Sequence, residues 1–386
     1  MFPIRKITTM NADVFRDEYS LAFDGTNDRL EISSNFESTV FNSAFSIALW
    51  VKLDDGRPSA TEYLFGTKDG NDSIWGRVET DGDIQLFYKE GSAEEALVAS
   101  GYFADGATQW THLVFVISDS AQAIYANGVL IASNTTSLDT SGFAQDTNRN
   151  FIIGARNNAG TVEDGIAGKI SDCALYTKAL SAAEVRTLYN GREAYNHKEG
   201  SIAKNLYSWW RMGDGFLDEY LNNQGLISDE VNPTIGSNII ADGAFTTAVG
   251  ESTSGTHWIT EAGWTISGGS ATYDGGGDSN TQLESVTNSS LVDNAVHRVD
   301  FTLTDTGGGG VYVRICGGSF TLVTGTGTKR VYLMAGTGTN RLTFETGHDD
   351  KAFTIDDVRV YRVNGKAGVM KNMDATDIEP DTQSPR

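Results

Sequence analysis

The sequence predicts an all-β protein: a β-sandwich, a connector and a second sandwich, with one short helix. Three observations carry this reading. Short stretches such as FSIALWVK at 45–52 repeat with the period of two that belongs to strands. The 386-residue chain has 43 glycines and only 5 prolines, a composition of tight turns between ordered strands rather than of a disordered proline-rich chain. Only 181–191, SAAEVRTLYNG, carries helix punctuation at both ends.

Residues 1–17 read as an irregular docking arm, with Phe2 and Ile4 as its apolar assembly residues. The first sandwich spans 18–195 and opens with SLAFDGTNDRLEIS at 20–33, a strand, a glycine turn and a strand. In the strand at 45–52, Phe45, Ile47, Leu49 and Val51 share one face, and Ser46, Ala48, Trp50 and Lys52 the other. Large apolar residues on both faces suit a sandwich strand whose outer side is itself partly covered. YLFGTKDGNDS at 63–73 and DIQLFYKE at 83–90 supply further strands. In WTHLVFVISDSAQAIYANGVLIAS at 110–133, Asn127-Gly128 is a two-residue hairpin turn, because both positions require positive φ. A last strand runs into the helix, where Ser181 and Glu184 form a capping box. Val185 and Leu188 give that helix its buried stripe, and Asn190-Gly191 ends it.

Residues 196–237, with Trp209-Trp210 and clustered acids, read as a structured connector. The second sandwich spans 238–364, including GWTISGGSATYDG at 263–275 and FTIDDVRVYRV at 353–363. An internal repeat, 325–333 against 336–344, predicts two neighbouring antiparallel strands. Residues 365–386 read as a polar tail or a docking strand.

The ordered motifs of 18–195, from SLAFDGTND through the Y-x-N-G hairpin to the strand and capped helix at 164–191, resemble the laminin-G-like, concanavalin A-type jelly rolls. The later half is similar to the galactose-binding-like jelly rolls of carbohydrate-binding modules, which close with an I-D-D-V strand like that at 355–358. The connector resembles segments in structural proteins of marine phages. Together these resemblances imply a non-enzymatic virion protein, a head decoration, fibre or tail component. Its lectin-like modules would bind capsid or tail proteins and host-surface glycans, as a homo-oligomer, in a particle released by lysis. The alternative they leave open is a bacterial carbohydrate-binding or adhesion protein of a glycan-degrading system.

Composition narrows the partners. A net charge of −22 argues against nucleic acid and against anionic membrane surfaces. No apolar run approaches the length of a membrane span, and the first twenty residues lack the apolar stretch of a secretory signal. Cys173 and Cys316 fall in different halves, each in an apolar strand pattern, and read as buried thiols.

The chemistry reads as binding. Retaining glucanases of the resembled fold carry E-x-D-x-x-E on one strand, which sets two carboxylates on one face; this chain has no such pattern. Glu94-Glu95 and Asp349-Asp350 are adjacent pairs that a strand would point to opposite faces. The five histidines are dispersed without zinc spacing, and no nucleophile elbow or phosphate loop occurs. The resemblance implies structural calcium at Asp24 and Asp172 in the first domain and at Asp242, Asp356 and Asp357 in the second, since Ca²⁺ takes clustered oxygen ligands. Trp75, Trp258 and Trp264 are the candidates for stacking on sugar faces.

Overall fold

Alternation along the strands builds two β-sandwiches, one in each of the two units into which the chain divides. In this computed structural model the described residues are 15–32, 37–68, 71–136, 138, 140–143, 150–158, 160–215, 226–231, 235–249, 255–276, 280–293, 295–305, 308–347, 351–363, 366 and 368–380. Phe2 and Ile4, the Asp349-Asp350 pair and most of the arm lie outside them. One unit comprises Met1–Glu31, Asn35–Asp214 and Lys371–Arg386; the other comprises Ile32–Ser34 and Gly215–Met370.

The first sheet of the first unit runs, in spatial order, Val129–Thr135, Ala121–Ala126, Thr111–Ser118, Phe45–Leu53, Ala167–Tyr176, Tyr19–Asp24 and Ile378–Pro380. The Phe45–Leu53 strand is buried along nearly its whole length. Its outer face is covered as its sequence predicts, because Trp50 packs 5.9 Å from Tyr189 of the Ala182–Tyr189 helix. The second sheet orders Arg29–Ile32, Ile152–Ile153, Glu62–Lys68, Asp72–Val78, Ile84–Glu90 and Ala93–Ala99. Between the sheets lie Leu49, Phe65, Ile74, Leu86, Tyr88 and Phe115, each at most 1% exposed.

The turn chemistry is as the sequence indicates. Asn127 and Gly128 both take positive φ, and Val129 pairs with Ala126 across them. The Ser181 side chain accepts from the Glu184 amide, the Glu184 side chain accepts from the Ser181 amide, and Asn190 ends the helix in the left-handed region.

Three expectations are corrected. The connector at 196–237 is not a separate piece: Leu206–Trp210 pairs with Ala167–Tyr176 in the first sheet, and the unit boundary falls after Asp214. Trp209 and Trp210 are both buried, so the paired indoles are core residues rather than linker. Of the two forms expected from 365, the free polar tail is set aside over the described length and the docking strand is found. Gly368–Lys371 pairs with Leu226–Ile227, and Ile378–Pro380 adds to Tyr19–Asp24 at the edge of the first sheet, with Lys169 bound to Glu379 at 2.5 Å.

The second unit is the jelly-roll sandwich. One sheet orders Trp264–Ser267, Ser270–Tyr273, Phe353–Val363, Val296–Asp305 and Gly327–Met334, with Ile235–Asn238 also on Phe353–Val363. The other orders Trp258–Thr260, Gln282–Ser285, Leu342–Thr346, Val311–Ile315 and Thr321–Val323. The internal repeat is the third correction, because its two strands lie in different sheets. The glycines between them allow the crossing: Gly338 N donates to Cys316 O at 2.7 Å, and a Cβ on Gly336 would stand 2.6 Å from Gly318 N. Backbone passes against backbone there, and the chain changes layer. Both cysteines are free and buried.

Ser181→Ala removes one cap bond and is expected to cost about 1 kcal/mol, read as a lowered midpoint in urea unfolding of the full chain. An unchanged midpoint would show that the helix is held by Val185 and Leu188 alone.

Candidate functional site

The second sheet of the first unit has an open outer face, and its residues follow from register. Along Asp72–Val78 the side chains of Ile74 and Val78 enter the core, which turns Trp75 and Arg77 outward. Along Ile84–Glu90 the core takes Ile84, Leu86 and Tyr88, and Gln85, Phe87 and Lys89 face out. Cross-strand pairing then sets Tyr63, Arg77, Gln85 and Val98 in one row, and Gly66, Trp75, Phe87 and Ala96 in the next.

These side chains form one packed aromatic and guanidinium surface. Trp75 and Phe87 stack with centroids 4.8 Å apart and planes 8° from parallel. Tyr63 meets Trp75 edge to face at 5.6 Å. The Arg77 guanidinium lies 4.3 Å from the Trp75 ring and that of Arg156 lies 4.2 Å from Tyr63, distances at which a cation is attracted to the ring quadrupole. Gly66 makes the fit possible, since a Cβ there would stand 2.8 Å from Trp75 Cβ and 3.3 Å from Arg156 Cγ. Arg77 donates to the Tyr63 hydroxyl at 2.8 Å and through Nε and Nη2 to Gln85 Oε1 at 3.2 and 2.8 Å. It also pairs with Glu79, and Arg156 with Glu163.

Of the three candidate tryptophans, Trp75 alone belongs to this face, and it lies beneath it, 7% exposed. Phe87 is half-buried and Ala96 exposed beside it, and Val98 is 38% exposed. The apolar platform that solvent reaches is therefore Phe87, Ala96 and Val98, ringed by Arg77, Gln85 and Lys89. Trp258 and Trp264 are corrected to core residues of the second unit, 0% and 1% exposed. Trp258 donates its indole N–H to Asp242 O at 3.0 Å and packs 4.9 Å from Phe245. Trp264 packs against Tyr273 and Phe353. Neither can stack on a sugar.

The structure separates the two acids expected to share an ion in the first unit and brings the three of the second unit into neighbouring loops. Asp24 pairs across the sheet with Ala167, so Asp172 lies about 16 Å further along the same strand at ~3.3 Å per residue, too far to share an ion. Asp24 instead accepts the amides of Thr26 and Asn27 in its turn. Asp172 is buried in a bulge of Ala167–Tyr176, where its carboxylate accepts from the Trp209 indole and contacts His197 Nε2 at 3.1 Å. In the second unit Val358 N donates to Gly243 O at 2.8 Å, which brings the loop of Asp242 against the bulge that holds Asp356 and Asp357. Their carboxylates are used locally. Asp242 accepts from the Thr246 and Thr247 amides, Asp356 from the Asp357 amide, and Asp357 pairs with Arg359. Among the described residues no three acid, histidine or cysteine side chains converge as a metal cluster.

Residues missed in the sequence are Tyr63, Arg77, Gln85, Phe87 and Arg156. Phe87 was visible in DIQLFYKE, where an aromatic falls on the parity opposite to Ile84, Leu86 and Tyr88. Arg156 was not visible, because its strand, Arg156–Asn158, has three residues and no alternation to read.

Residues 24–186 match the family model of the Concanavalin A-like lectin/glucanases superfamily, and the first unit is a sandwich of that fold. Among solved structures the chain is similar to the native heptameric SAP-like pentraxin of Limulus polyphemus, at 21% identity over 45% of this chain and 82% of that one, with a TM-score of 0.35. It is similar to the CBM40 of Ruminococcus gnavus IT-sialidase, at 16% identity over 44% and 96%, TM-score 0.36. A putative carbohydrate binding protein from Bacteroides ovatus matches at 17% identity over 56% of each chain, TM-score 0.41. No curated protein sequence matches the chain.

Two buried groups of this unit set opposite pH limbs. Glu62 heads the strand that carries Tyr63, and one of its carboxyl oxygens has no donor among the described residues. Burial pushes this carboxyl up to about 7, opposed by the Ala167 amide and reinforced by Asp54 and Asp55. The folded state thus holds the proton more tightly than the unfolded chain. Its contribution is full below the ordinary value of 4.5 and is lost as pH rises through about 7. His112 is the reverse: burial holds it down at about 3, with Asp172 opposing. Its contribution is full above 6.5 and is lost as pH falls toward about 3. Glu62→Gln is expected to flatten the alkaline limb alone, so that its melting temperature gains on the native chain between about pH 4.5 and pH 8. A constant difference across that range would assign the alkaline limb to another group.

Proposed function

We propose that this is a non-enzymatic glycan-binding protein whose saccharide lies across the outer face of the second sheet of the first unit. The observation that supports this reading is the Phe87, Ala96 and Val98 platform bordered by Arg77 and Gln85 on an open sheet. A sugar ring offers an apolar C–H face to an aromatic and hydroxyls to the fixed donors and acceptors around it. Stacking against the neighbouring Trp75 fixes Phe87, and the cation–π and hydrogen-bond contacts fix Arg77, so little side-chain freedom remains to be lost on binding.

The setting we propose is a phage particle, in which the protein serves as a decoration, fibre or tail component. What suggests that placement is the resemblance read in the sequence of 196–237. A bacterial envelope or an exported glycan-degrading system is the other setting, and the same face would serve there. Mass spectrometry of purified particles against envelope fractions separates them.

On a glycan array the native chain is expected to retain a defined set of saccharides without cleaving them. Phe87→Ala should weaken retention about tenfold, equivalent to ~1.4 kcal/mol, with its melting temperature little changed. Retention equal to the native chain in both Phe87→Ala and Arg77→Ala would exclude this face. Release of reducing ends from a retained glycan would exclude the non-enzymatic reading.

A further inference from the structure

The segment that leads into the first strand is held by a cluster the glycan-binding reading does not use. Phe15 packs 5.8 Å from Trp209, and the Arg211 guanidinium lies 4.5 Å from the Phe15 ring and 5.5 Å from that of Trp209. Arg211 also donates to the carbonyls of Arg16 and Asp214. Asp214 Oδ2 accepts the backbone amides of Glu18 and Tyr19 at 2.6 and 2.7 Å. Between these ties Asp17 points inward, 4% exposed. Its Oδ2 accepts from Ser171 Oγ at 2.5 Å, and its buried Oδ1, 3.9 Å from Arg211 Nη2, has no hydrogen-bond partner among the described residues.

The charges around Asp17 do not balance once it ionises. Asp214 and Arg211 face it from the segment after Trp210, and Asp172 from the bulge beside Ser171. Asp172 is in turn held by His197, which binds the Tyr176 hydroxyl, and the buried His112 lies behind it. On its own segment Arg16 and Glu18 pair with each other in solvent, and beyond Tyr19 the Lys169 and Glu379 pair is self-neutralising. Three carboxyl groups thus meet one guanidinium, already engaged by two carbonyls, and one imidazole turned toward Asp172. A neutral Asp17 leaves Arg211 to its carbonyls and to Asp214. An ionised Asp17 is a buried charge with one oxygen lacking a donor among the described residues, a costly state in low dielectric.

We propose that Phe15–Glu18 is a pH-operated latch, seated on the first sheet while Asp17 carries its proton and lifted from it when that proton is lost. Burial raises Asp17 well above the ordinary carboxyl range, and the negative charges of Asp172 and Asp214 add to this, against the Ser171 hydrogen bond. Seating covers Trp209 and uses the Glu18 and Tyr19 amides. Lifting frees Phe15–Glu18 and uncovers Trp209.

Hydrogen exchange of the Glu18 and Tyr19 amides in the full chain, corrected for the intrinsic pH dependence, tests this. The native chain is expected to lose about tenfold protection at these amides between about pH 5 and pH 9. Asp17→Asn, which mimics the protonated acid, should keep its protection throughout. Glu62→Gln should leave the response unchanged, separating the latch from the global alkaline limb. Native protection that does not change with pH, or an Asp17→Asn variant that loses it in step with the native chain, would overturn the proposal. If Asp17→Asn fails to fold, loss of native protection at these amides with the amides of Phe45–Leu53 still protected supports it, and simultaneous loss overturns it.

Discussion

The first unit depends on a buried carboxylate set into a kinked strand. In Ala167–Tyr176 the register against Phe45–Leu53 shifts between Ser171 and Ala174, and Asp172 takes a φ of 52°. Aspartate is among the few residues that tolerate the left-handed region. The bulge turns its carboxylate to the outer side of the sheet, where Trp209 and His197 bind it. Burial alone would raise this carboxyl. His197 by proximity and hydrogen bond, the Trp209 indole and Arg211 together hold it below the ordinary carboxylate range. A buried charge with that many partners is expensive to lose from either side. It thereby ties His197 and the Leu206–Trp210 strand to the bulge.

That cover explains why the two sheets present different outer surfaces. The outer side of the first sheet takes the helix and the root of the N-terminal segment, and Trp50, His112 and Trp209 are consequently core residues. Over Glu62–Lys68 to Ala93–Ala99 the second sheet is left facing solvent, and there the large outward residues remain accessible or lie just beneath guanidinium groups. An aromatic at an outward strand position is thus a core residue in one sheet and part of a surface platform in the other. Only the placement of the cover decides which.

This is also where the sequence stopped being legible. Turns, caps and alternation are local, so the Asn127-Gly128 hairpin, the Ser181 capping box and the burial of both faces at 45–52 could be read directly. Trp258 and Trp264 could not be told from surface tryptophans, because each strand alternates and nothing local says which parity meets the opposite sheet. The repeat at 325–344 misled for a related reason. Two alternating strands after glycine turns look like a hairpin, and only the contact of Gly336 and Gly338 with residues 316–318 sends the second strand to the other layer. Asp24 and Asp172 were paired by family likeness, but register along one strand separates them.

Charge is distributed in keeping with this division of labour. The chain carries −22 overall, yet at the platform Arg77 and Arg156 are each matched to one glutamate, Glu79 and Glu163. A locally balanced patch on an acidic protein suits a ligand with hydroxyls better than one with a formal charge, since neither sign of ligand gains from net attraction there. The guanidinium N–H groups then act as directional donors held flat by aromatic rings, which is how arginine differs from lysine at a recognition surface. The same chemistry recurs away from the platform, where Arg211 lies against Phe15 and Trp209. In both places a cation lies against an aromatic ring and fixes nearby polar groups. At the platform this leaves a surface ready for a ligand, and at the arm root it leaves a segment whose seating turns on one proton.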